Sequence, residues 1–258
     1  MDDEALGTAA ERVRARLVGK RRLLFITGAG LSAESGLPTY RGIGGLYEDA
    51  QTEHGMPIEV ALSGPMFARA PHITWHHIGA IEQALRGARH NLAHSIIAAL
   101  EQHYEVVVLT QNVDGFHRAA GSTRVIDIHG DCHDLQCTRC DHRERRDDYA
   151  GMTFPPVCPV CAAVVRPEVV LFEEALPARK LALLLHELER GFDAYFSVGT
   201  TSIFPYIAQP MLDAARRGLL TVEINPGVTE ISELCEVRLP CGAARALSAL
   251  FPNRSASH

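Results

Sequence analysis

Residues 23–33 read LLFITGAGLSA, a continuous apolar run that leads directly into two closely spaced glycines. The run 23–27 is typical of a strand that is buried on both faces of a parallel sheet. Gly28-x-Gly30-x-x-Ala33 then fits the dinucleotide fingerprint, in which glycines let the backbone turn tightly and approach a pyrophosphate. Short glycine turns are common in proteins, so the rest of the chain has to support a nucleotide-binding fold.

Apolar runs of the same kind recur along the chain and alternate with helical patterns. The runs cover residues 104–109, 125–128, 194–198, 220–224 and 235–239. The helical patterns cover residues 4–18, 91–102, 177–190, 205–217 and 242–250. Strands that alternate with helices of this length indicate an α/β fold in which helices cover both faces of a parallel sheet. We therefore predict a Rossmann-type domain.

Two parts of the chain interrupt this alternation. Residues 43–87 contain no buried-strand run and hold a helical pattern at 72–85, and residues 133–164 are polar and rich in cysteine. We predict that the first is a helical insert, the second a zinc ribbon, and that they form one small lobe. The Rossmann-type domain is then discontinuous and consists of residues 1–42, 88–132 and 165–258.

Composition limits the class of protein. The chain has 258 residues, of which 47% are hydrophobic, and a net charge of −6. This favours a folded domain with a sizeable core and gives no support to direct nucleic-acid binding. No apolar run approaches the ~18 residues of a membrane span, and the acidic start Met1-Asp2-Asp3-Glu4 is unlike a signal peptide. We expect a cytoplasmic protein without membrane contact.

The zinc prediction rests on two Cys-x-x-Cys pairs, Cys137 with Cys140 and Cys158 with Cys161, which are separated by 17 residues. This is the spacing of a zinc ribbon. Four thiolates complete a tetrahedral site and leave no open position, so the metal would be structural rather than catalytic. A redox role of the pairs is the alternative, and Cys132 and His142 are further possible ligands without the paired spacing.

Small or polar residues follow five of the predicted strands, where a parallel sheet binds its ligands. The small or polar residues at these strand ends include Gly28, Gln111, His129, Gly199 and Asn225. Because the pKa of an imidazole is near neutrality, His129 is suited to take a proton from a ribose hydroxyl. Most of the other histidines, such as His77, are expected on the surface or at helix caps. A dehydrogenase would also need an acidic residue about 20 positions after the glycines, and Glu53 there has no strand pattern around it.

Longer motifs around these residues resemble those of the sirtuins, a family of NAD-dependent protein lysine deacylases. Residues 28–42 look like the family's cofactor loop, and residues 110–117 are similar to its nicotinamide and ribose motif. The remaining motifs follow in family order: His129-Gly130, the four cysteines, Arg166-Pro167 through Glu174, Gly199-Thr200-Thr201 and Asn225-Pro226. The match spans about residues 23–245, and the chain is identified as a bacterial-type sirtuin near the branch that includes desuccinylases.

The resemblance implies which residues bind NAD as a co-substrate. In the cofactor loop they are Gly28, Ala29, Gly30, Ser32, Ala33, Glu34, Tyr40 and Arg41. Toward nicotinamide and ribose they are Gln111, Asn112 and Asp114, and toward the phosphates Gly199, Thr200 and Thr201. At the adenosine end they are Asn225, Pro226 and Cys241. His129 and Asn112 would be the catalytic residues.

The resemblance also implies a reaction and a substrate. Nicotinamide would leave C1′ as the acyl carbonyl oxygen attacks that carbon, and His129 would then activate a ribose hydroxyl as general base. The products would be nicotinamide, the free lysine and 2′-O-acyl-ADP-ribose. The acyl-lysine protein or peptide would run as an added strand along Val169, Val170, Leu171 and Phe172, opposite the loop after Gly199.

Several departures from the family pattern bear on specificity. Desuccinylases carry a Tyr and an Arg three positions apart on the helical insert, whereas our best register places Ile78 and Ile81 there. We therefore expect acetyl or longer aliphatic chains to be preferred over succinyl or malonyl. Tyr40 replaces the usual Phe, Glu173 stands where Gly is common, and the loop after Thr201 is one residue short.

Two alternatives to the deacylase remain at this point. One is an NAD glycohydrolase or mono-ADP-ribosyltransferase on the same scaffold, because cleavage of the glycosidic bond is a shared first step. The other is a nucleotide-sensing module that performs no chemistry. His129 and the substrate strand favour deacylation, since neither is needed merely to hydrolyse NAD.

Overall fold

The predicted alternation of strands and helices is present in the computed structural model, which describes residues 1–38, 52 and 55–252. The described strands are β1 Arg22–Thr27, β2 Glu105–Thr110, β3 Val125–Asp127, β4 Gly130–Cys137, β5 Arg143–Arg145, β6 Val165–Val169, β7 Ala194–Val198, β8 Leu220–Ile224 and β9 Val237–Leu239. The described helices are α1 Asp3–Leu17, α2 Ala29–Ser32, α3 Ile58–Ala61, α4 Gly64–Arg69, α5 Pro71–Leu85, α6 Leu92–Ala99, α7 Phe116–Ala119, α8 Ala178–Arg190, α9 Pro205–Arg216 and α10 Ala243–Leu250.

Six strands form one parallel sheet in the order β3-β2-β1-β7-β8-β9. From β1 the sheet therefore extends through β2 to β3 on one side, and through β7 and β8 to β9 on the other. Such a reversal leaves a crevice at the carboxyl ends of β1 and β7, where open α/β sheets bind ligands. The sheet thus brings the turns after β1 and β7 side by side.

Both faces of this sheet are buried, which explains the continuous apolar runs. Leu23 and Phe25 of β1 pack in a cluster with residues of α1, α6 and α10. Leu24 and Ile26, which point to the opposite face, pack with residues of α8 and α9. The predicted Rossmann-type fold with helices on both faces is confirmed.

The small lobe has its own apolar core, to which the helical insert and the ribbon both contribute. Trp75 of α5 is fully buried there and donates a hydrogen bond from Nε1 to the carbonyl of Val165, at 2.9 Å. Its ring stacks on Phe154 of the ribbon, with centroids 5.2 Å apart. The cluster also contains Leu135 of β4 and Leu171, which follows β6.

β4 and β6 were not predicted from the sequence. They pair antiparallel in a second sheet of order β5-β4-β6. Residues 130–132 and 165–169 therefore belong to the small sheet, although they were predicted within the larger domain. Their polar and proline-containing sequences lack the apolar run of a strand that is buried on both faces.

His77 was expected on the surface or at a helix cap. This expectation was wrong, because His77 is only 4% exposed within the lobe. Among the described helices, none combines the length and apolar character needed to cross a bilayer.

Candidate active site

The turn after β1 packs directly against the turn after β7. The amide of Gly28 donates to the carbonyl of Val198 at 3.1 Å, and the amide of Gly30 donates to that of Gly199 at 2.8 Å. A Cβ atom on Gly28 would lie 2.8 Å from the Cβ of Thr200, and one on Gly30 would lie 2.8 Å from the Cα of Gly199. Glycine is required at both positions because the two turns approach so closely.

Amide side chains join the ends of β2, β7 and β8 at this edge. Gln111, after β2, donates from Nε2 to Thr200 Oγ1 at 2.6 Å, and Asn225, after β8, donates from Nδ2 to the Thr200 carbonyl at 3.0 Å. Thr201 and Pro226 are exposed at the same edge. These predicted cofactor residues are therefore brought together around Thr200.

A second polar group lies between the first turn and the end of β2. Asn112 donates from Nδ2 to the carbonyl of Gly28 and to Ser32 Oγ, both at 3.1 Å. Ser32 in turn donates to Asp114 Oδ2 at 2.6 Å, and the amide of Phe116 donates to the same carboxylate at 2.9 Å. Burial raises the pKa of Asp114. The cofactor loop is thus fixed to the motif that follows β2.

Glu34 links the cofactor loop to the last helix. Its carboxylate accepts a hydrogen bond from the amide of Ala244, in the first turn of α10, at 3.1 Å. Cys241 is buried just before this helix, and burial raises the pKa of its thiol. The two remaining loop residues of the prediction, Tyr40 and Arg41, lie outside the described residues, as does Glu53.

These groups fit a dinucleotide by their chemistry. The turn after β1 offers backbone amides, and Ser32, Gln111, Asn112, Thr200 and Asn225 offer neutral hydroxyl and amide groups. Neutral donors and acceptors of this kind match the ribose hydroxyls and the amide of nicotinamide. They are assembled at the switch point of the sheet, where doubly wound folds bind nucleotides.

His129 follows β3 directly and lies at the same edge. Its Nδ1 is 3.0 Å from the carbonyl of Gln111, and its Nε2 is 2.6 Å from Tyr206 Oη. A carbonyl can only accept, so Nδ1 carries the proton and Nε2 keeps its lone pair. Burial lowers the pKa of His129, and the positive charge of Lys180 acts in the same direction. The imidazole is therefore a neutral base at pH 7.

Lys180 is one of the functional-site residues that sequence analysis missed. It lies in the first turn of α8, and its Nζ is 2.8 Å from the carbonyl of Asp127 and 3.1 Å from its carboxylate. The contact ties α8 to the end of β3, two residues before His129. No sequence signal connects residues that are 53 positions apart, so only the fold reveals this pair.

The predicted substrate segment is already hydrogen-bonded within the chain. The amide of Val170 donates to the His129 carbonyl at 2.8 Å, that of Leu171 to Glu174 Oε2 at 2.9 Å, and that of Phe172 to the Leu62 carbonyl at 2.9 Å. None of the described residues donates to the carbonyl of Val170. A peptide strand along this segment can therefore donate to the carbonyl of Val170. It cannot accept from the amides of Val170, Leu171 and Phe172, because these already donate within the chain.

An ion pair fixes the end of this segment. Arg166 contacts both carboxylate oxygens of Glu174, at 2.6 and 2.9 Å, and its guanidinium lies 5.0 Å above the ring centroid of Phe67 in α4. Glu174 also accepts the hydrogen bond from Leu171. The pair thus holds the segment between the ribbon and the helical insert.

Glu173, where the family commonly has Gly, adopts the left-handed conformation with φ of 65°. A side chain with a Cβ pays roughly 1–2 kcal/mol for this conformation, whereas glycine does not. We expect Glu173→Gly to raise the free energy of unfolding by about 1 kcal/mol, measured as the midpoint of urea unfolding. Glu173→Ala removes the same carboxylate and keeps the Cβ, so it should give no gain. Equal effects of the two substitutions would rule out the backbone explanation.

The four predicted zinc ligands converge in the ribbon. The Sγ atoms of Cys137, Cys140, Cys158 and Cys161 all lie within 4.8 Å of one another. Those of Cys137 and Cys161 are 3.4 Å apart, near the ~3.8 Å between sulfur atoms that Zn–S bonds of about 2.3 Å give in a tetrahedral site. The amide of Ala163 lowers the pKa of Cys161 to about 6, which favours the thiolate. The cluster fits a structural zinc ion, and Cys132 is not part of it.

The chain matches a known family and named relatives over most of its length. The sequence model of the Sir2 family matches residues 28–204. "NAD-dependent protein deacylase 2" of Pseudomonas aeruginosa is 50% identical over 222 residues, which are 84% of this chain and 86% of the relative. The protein of the same name from Pseudomonas syringae pv. tomato is 48% identical over 235 residues, 90% of this chain and 94% of the relative.

Solved structures show the same fold. A Sir2 homologue in complex with NAD superposes with a TM-score of 0.80 at 31% identity, over 97% of this chain and 92% of that one. A complex described as Sir2, p53 peptide and NAD⁺ superposes with a TM-score of 0.81 at 25% identity, over 94% of this chain and 97% of that one. In that second complex a peptide and the dinucleotide are bound together.

Proposed function

The chain belongs to the Sir2 family, and from this we propose how its residues carry out the NAD-dependent deacylation of lysine side chains. NAD-dependent protein deacylation is the activity of this protein, as the names of its relatives and the peptide complex of a Sir2 neighbour support. NAD is its co-substrate, and acyl-lysine proteins or peptides are its proposed partners.

The observation that carries the mechanism is the neutral His129 at the carboxyl edge of the sheet. NAD supplies the ADP-ribose that accepts the acyl group after nicotinamide has left. We assign to His129 the removal of a proton from a ribose hydroxyl: the proton moves to Nε2, and the oxygen becomes the nucleophile toward the acyl carbon. The carbonyl of Gln111 accepts a hydrogen bond from Nδ1 and stabilises the imidazolium that results.

The other residues of this edge are proposed to bind and orient the dinucleotide. Gln111, Asn112 and Asp114 would face the nicotinamide and ribose, Thr200 the phosphates and Asn225 the adenosine end. Hydrogen bonds join Gln111, Thr200 and Asn225 into one continuous polar group. The close contact between the turns after β1 and β7 would leave no room for water between these two turns. Exclusion of water matters here because hydrolysis at C1′ would consume NAD without deacylation.

The peptide is proposed to lie along Val169, Val170, Leu171 and Phe172, opposite the loop after Gly199. Because the amides of Val170, Leu171 and Phe172 are used within the chain, the peptide would donate to the carbonyl of Val170, to which no described residue donates. The ion pair of Arg166 with Glu174 would keep this carbonyl in place. Backbone pairing of this kind accepts many peptide sequences.

Nicotinamide release that depends on an acylated peptide tests this function. A panel of acyl-peptides incubated with NAD is analysed by mass spectrometry for deacylated peptide and O-acyl-ADP-ribose. We expect both products in equal amounts. Nicotinamide release without any peptide would indicate an NAD glycohydrolase, transfer of ADP-ribose to protein would indicate a transferase, and binding of NAD without products would indicate a sensing module.

The acyl preference is a separate prediction. Ile78 and Ile81 of α5 pack with the small-lobe cluster that contains Leu171, so the proposed acyl side of the site is apolar. A carboxylate would lose hydration there without a charged partner, whereas each buried methylene gains about 0.8 kcal/mol. We expect kcat/KM to be higher for acetyl and butyryl forms of one peptide than for its succinyl form. A succinyl value equal to or above the other two contradicts the prediction.

We propose that the small lobe consists of residues 43–87 and 133–164. The whole of β4 and β6 belongs to it as well, because these strands form the small sheet with β5. We propose a cytoplasmic location, because four of the seven cysteines are arranged as zinc ligands rather than as disulfides.

A further inference from the structure

The side chain of a tyrosine is hydrogen-bonded to Nε2 of His129, the atom that is proposed to act as the base. Tyr206 lies in the first turn of α9, and its hydroxyl oxygen is 2.6 Å from Nε2 of His129. Since the proton of His129 is on Nδ1, the Tyr206 hydroxyl donates to Nε2. A neutral imidazole has no second lone pair in its ring plane. Nothing else on His129 is then available to a substrate hydroxyl.

Packing holds the Tyr206 ring in this position. It stacks on Phe204, with centroids 5.5 Å apart, and both rings face the imidazole edge-on, at 6.0 and 5.9 Å. Tyr206 also packs against the apolar cluster beneath α8 and α9. Partial burial raises the pKa of Tyr206 to about 12, so the hydroxyl keeps its proton at neutral pH and remains a donor.

We propose that Tyr206 is a positioning residue that masks His129 in the free enzyme and competes with the substrate hydroxyl for Nε2. This rests on the proposed role of His129 as general base. A base has to receive a hydrogen bond from the group that it deprotonates, at a heavy-atom distance of about 2.6–3.2 Å. The ribose hydroxyl can take this position only after the Tyr206 side chain has moved its oxygen away from Nε2.

The proposal predicts which step Tyr206 controls. Departure of nicotinamide precedes the action of His129, so it does not require the Tyr206–His129 hydrogen bond to break. Proton removal from the ribose hydroxyl does require it. Tyr206 should therefore slow deacylation relative to the exchange of nicotinamide with NAD.

Tyr206→Phe tests this, because it removes the hydroxyl and keeps the stacked ring. We expect the ratio of deacylated peptide to labelled nicotinamide incorporated into NAD to rise about 2- to 10-fold, the equivalent of one neutral hydrogen bond. Tyr195→Phe is the matched control, since Tyr195 belongs to the same apolar cluster and packs against Phe192 rather than His129. The control should leave the ratio unchanged.

An NMR titration of the imidazole in the free protein gives an independent measurement. Loss of a donor to neutral Nε2 should raise the pKa of His129 by about 0.5 to 1 in Tyr206→Phe. The charged groups near His129, Lys180 of α8 and its partner Asp127, are the same in both proteins.

An unchanged pKa of His129, or a ratio that is unchanged or lower, overturns the proposal. If the wild-type protein shows no NAD-dependent deacylation, the proposed function fails instead. The titration then still decides whether Tyr206 masks His129.

Discussion

His129→Ala is expected to lower the rate of lysine deacylation by about 10² to 10⁴, the usual cost of losing a general base. The substitution should leave the fold and the binding of NAD largely intact, because the polar groups around Thr200 do not depend on the imidazole. Deacylated peptide measured by mass spectrometry gives the rate, and calorimetry gives the dissociation constant for NAD. His129→Tyr should have the same effect on the rate.

The control for this experiment is His186→Ala, which removes an exposed histidine of α8 and should leave the rate unchanged. The pH dependence gives a second check. Burial lowers the pKa of His129 below its ordinary value of 6.5, so the wild-type base stays unprotonated to a pH below that value. Near-normal turnover of purified His129→Ala would remove this residue from the mechanism.

Much of the fold could be predicted because burial on both faces leaves a clear pattern in the sequence. Leu23 and Leu24 point to opposite faces of the sheet and are both covered by helices, so the strand reads as an unbroken apolar run. The end of such a run marks the binding edge, which is why His129 and Gln111 could be recognised as candidates. Their contact at 3.0 Å follows from the parallel pairing of β2 with β3.

The small sheet could not be predicted in the same way. β4 reads GDCHDLQC, and its buried and half-buried residues follow neither a continuous nor an alternating pattern. Pairing of β4 with β6 also depends on a register shift between Asp131 and Leu135, which no local pattern encodes. The left-handed conformation of Glu173 is likewise imposed by the contacts that hold Phe172 and Glu174 on either side of it.

The contact of Tyr206 with His129 could be predicted only in part, unlike the strands of the large sheet, which could be predicted, and those of the small sheet, which could not. The helix predicted at 205–217 follows the strand predicted at 194–198, so its first turn comes shortly after the loop that begins at Gly199. The two residues are 77 positions apart, however, and the distance between their side chains depends on how α9 packs on the sheet. A sequence pattern can indicate that a helix begins at an edge, but it does not determine which side chain of the first turn reaches a given atom.

Removal of the zinc ion is expected to unfold the small lobe while the larger sheet remains folded. Structural zinc contributes about 10–16 kcal/mol of binding free energy in small zinc domains, which exceeds the stability of most domains. Cys137 and Cys158 also belong to the apolar core of the lobe, so loss of the metal would disturb the packing around Trp75 directly. Metal analysis of the purified protein should give one zinc ion per chain.

Trp75 is the single tryptophan of the chain, and it is fully buried in this core. Its fluorescence therefore reports on the small lobe alone. Cys140→Ser should lose zinc, shift the Trp75 emission to longer wavelength and lower activity, while far-UV circular dichroism retains the signal of the larger sheet. Cys235→Ser is the matched control, because Cys235 packs against the sheet and lies outside the four-cysteine cluster. Active protein without zinc, or unchanged Trp75 emission after a chelator has removed the metal, would show that the lobe does not depend on it.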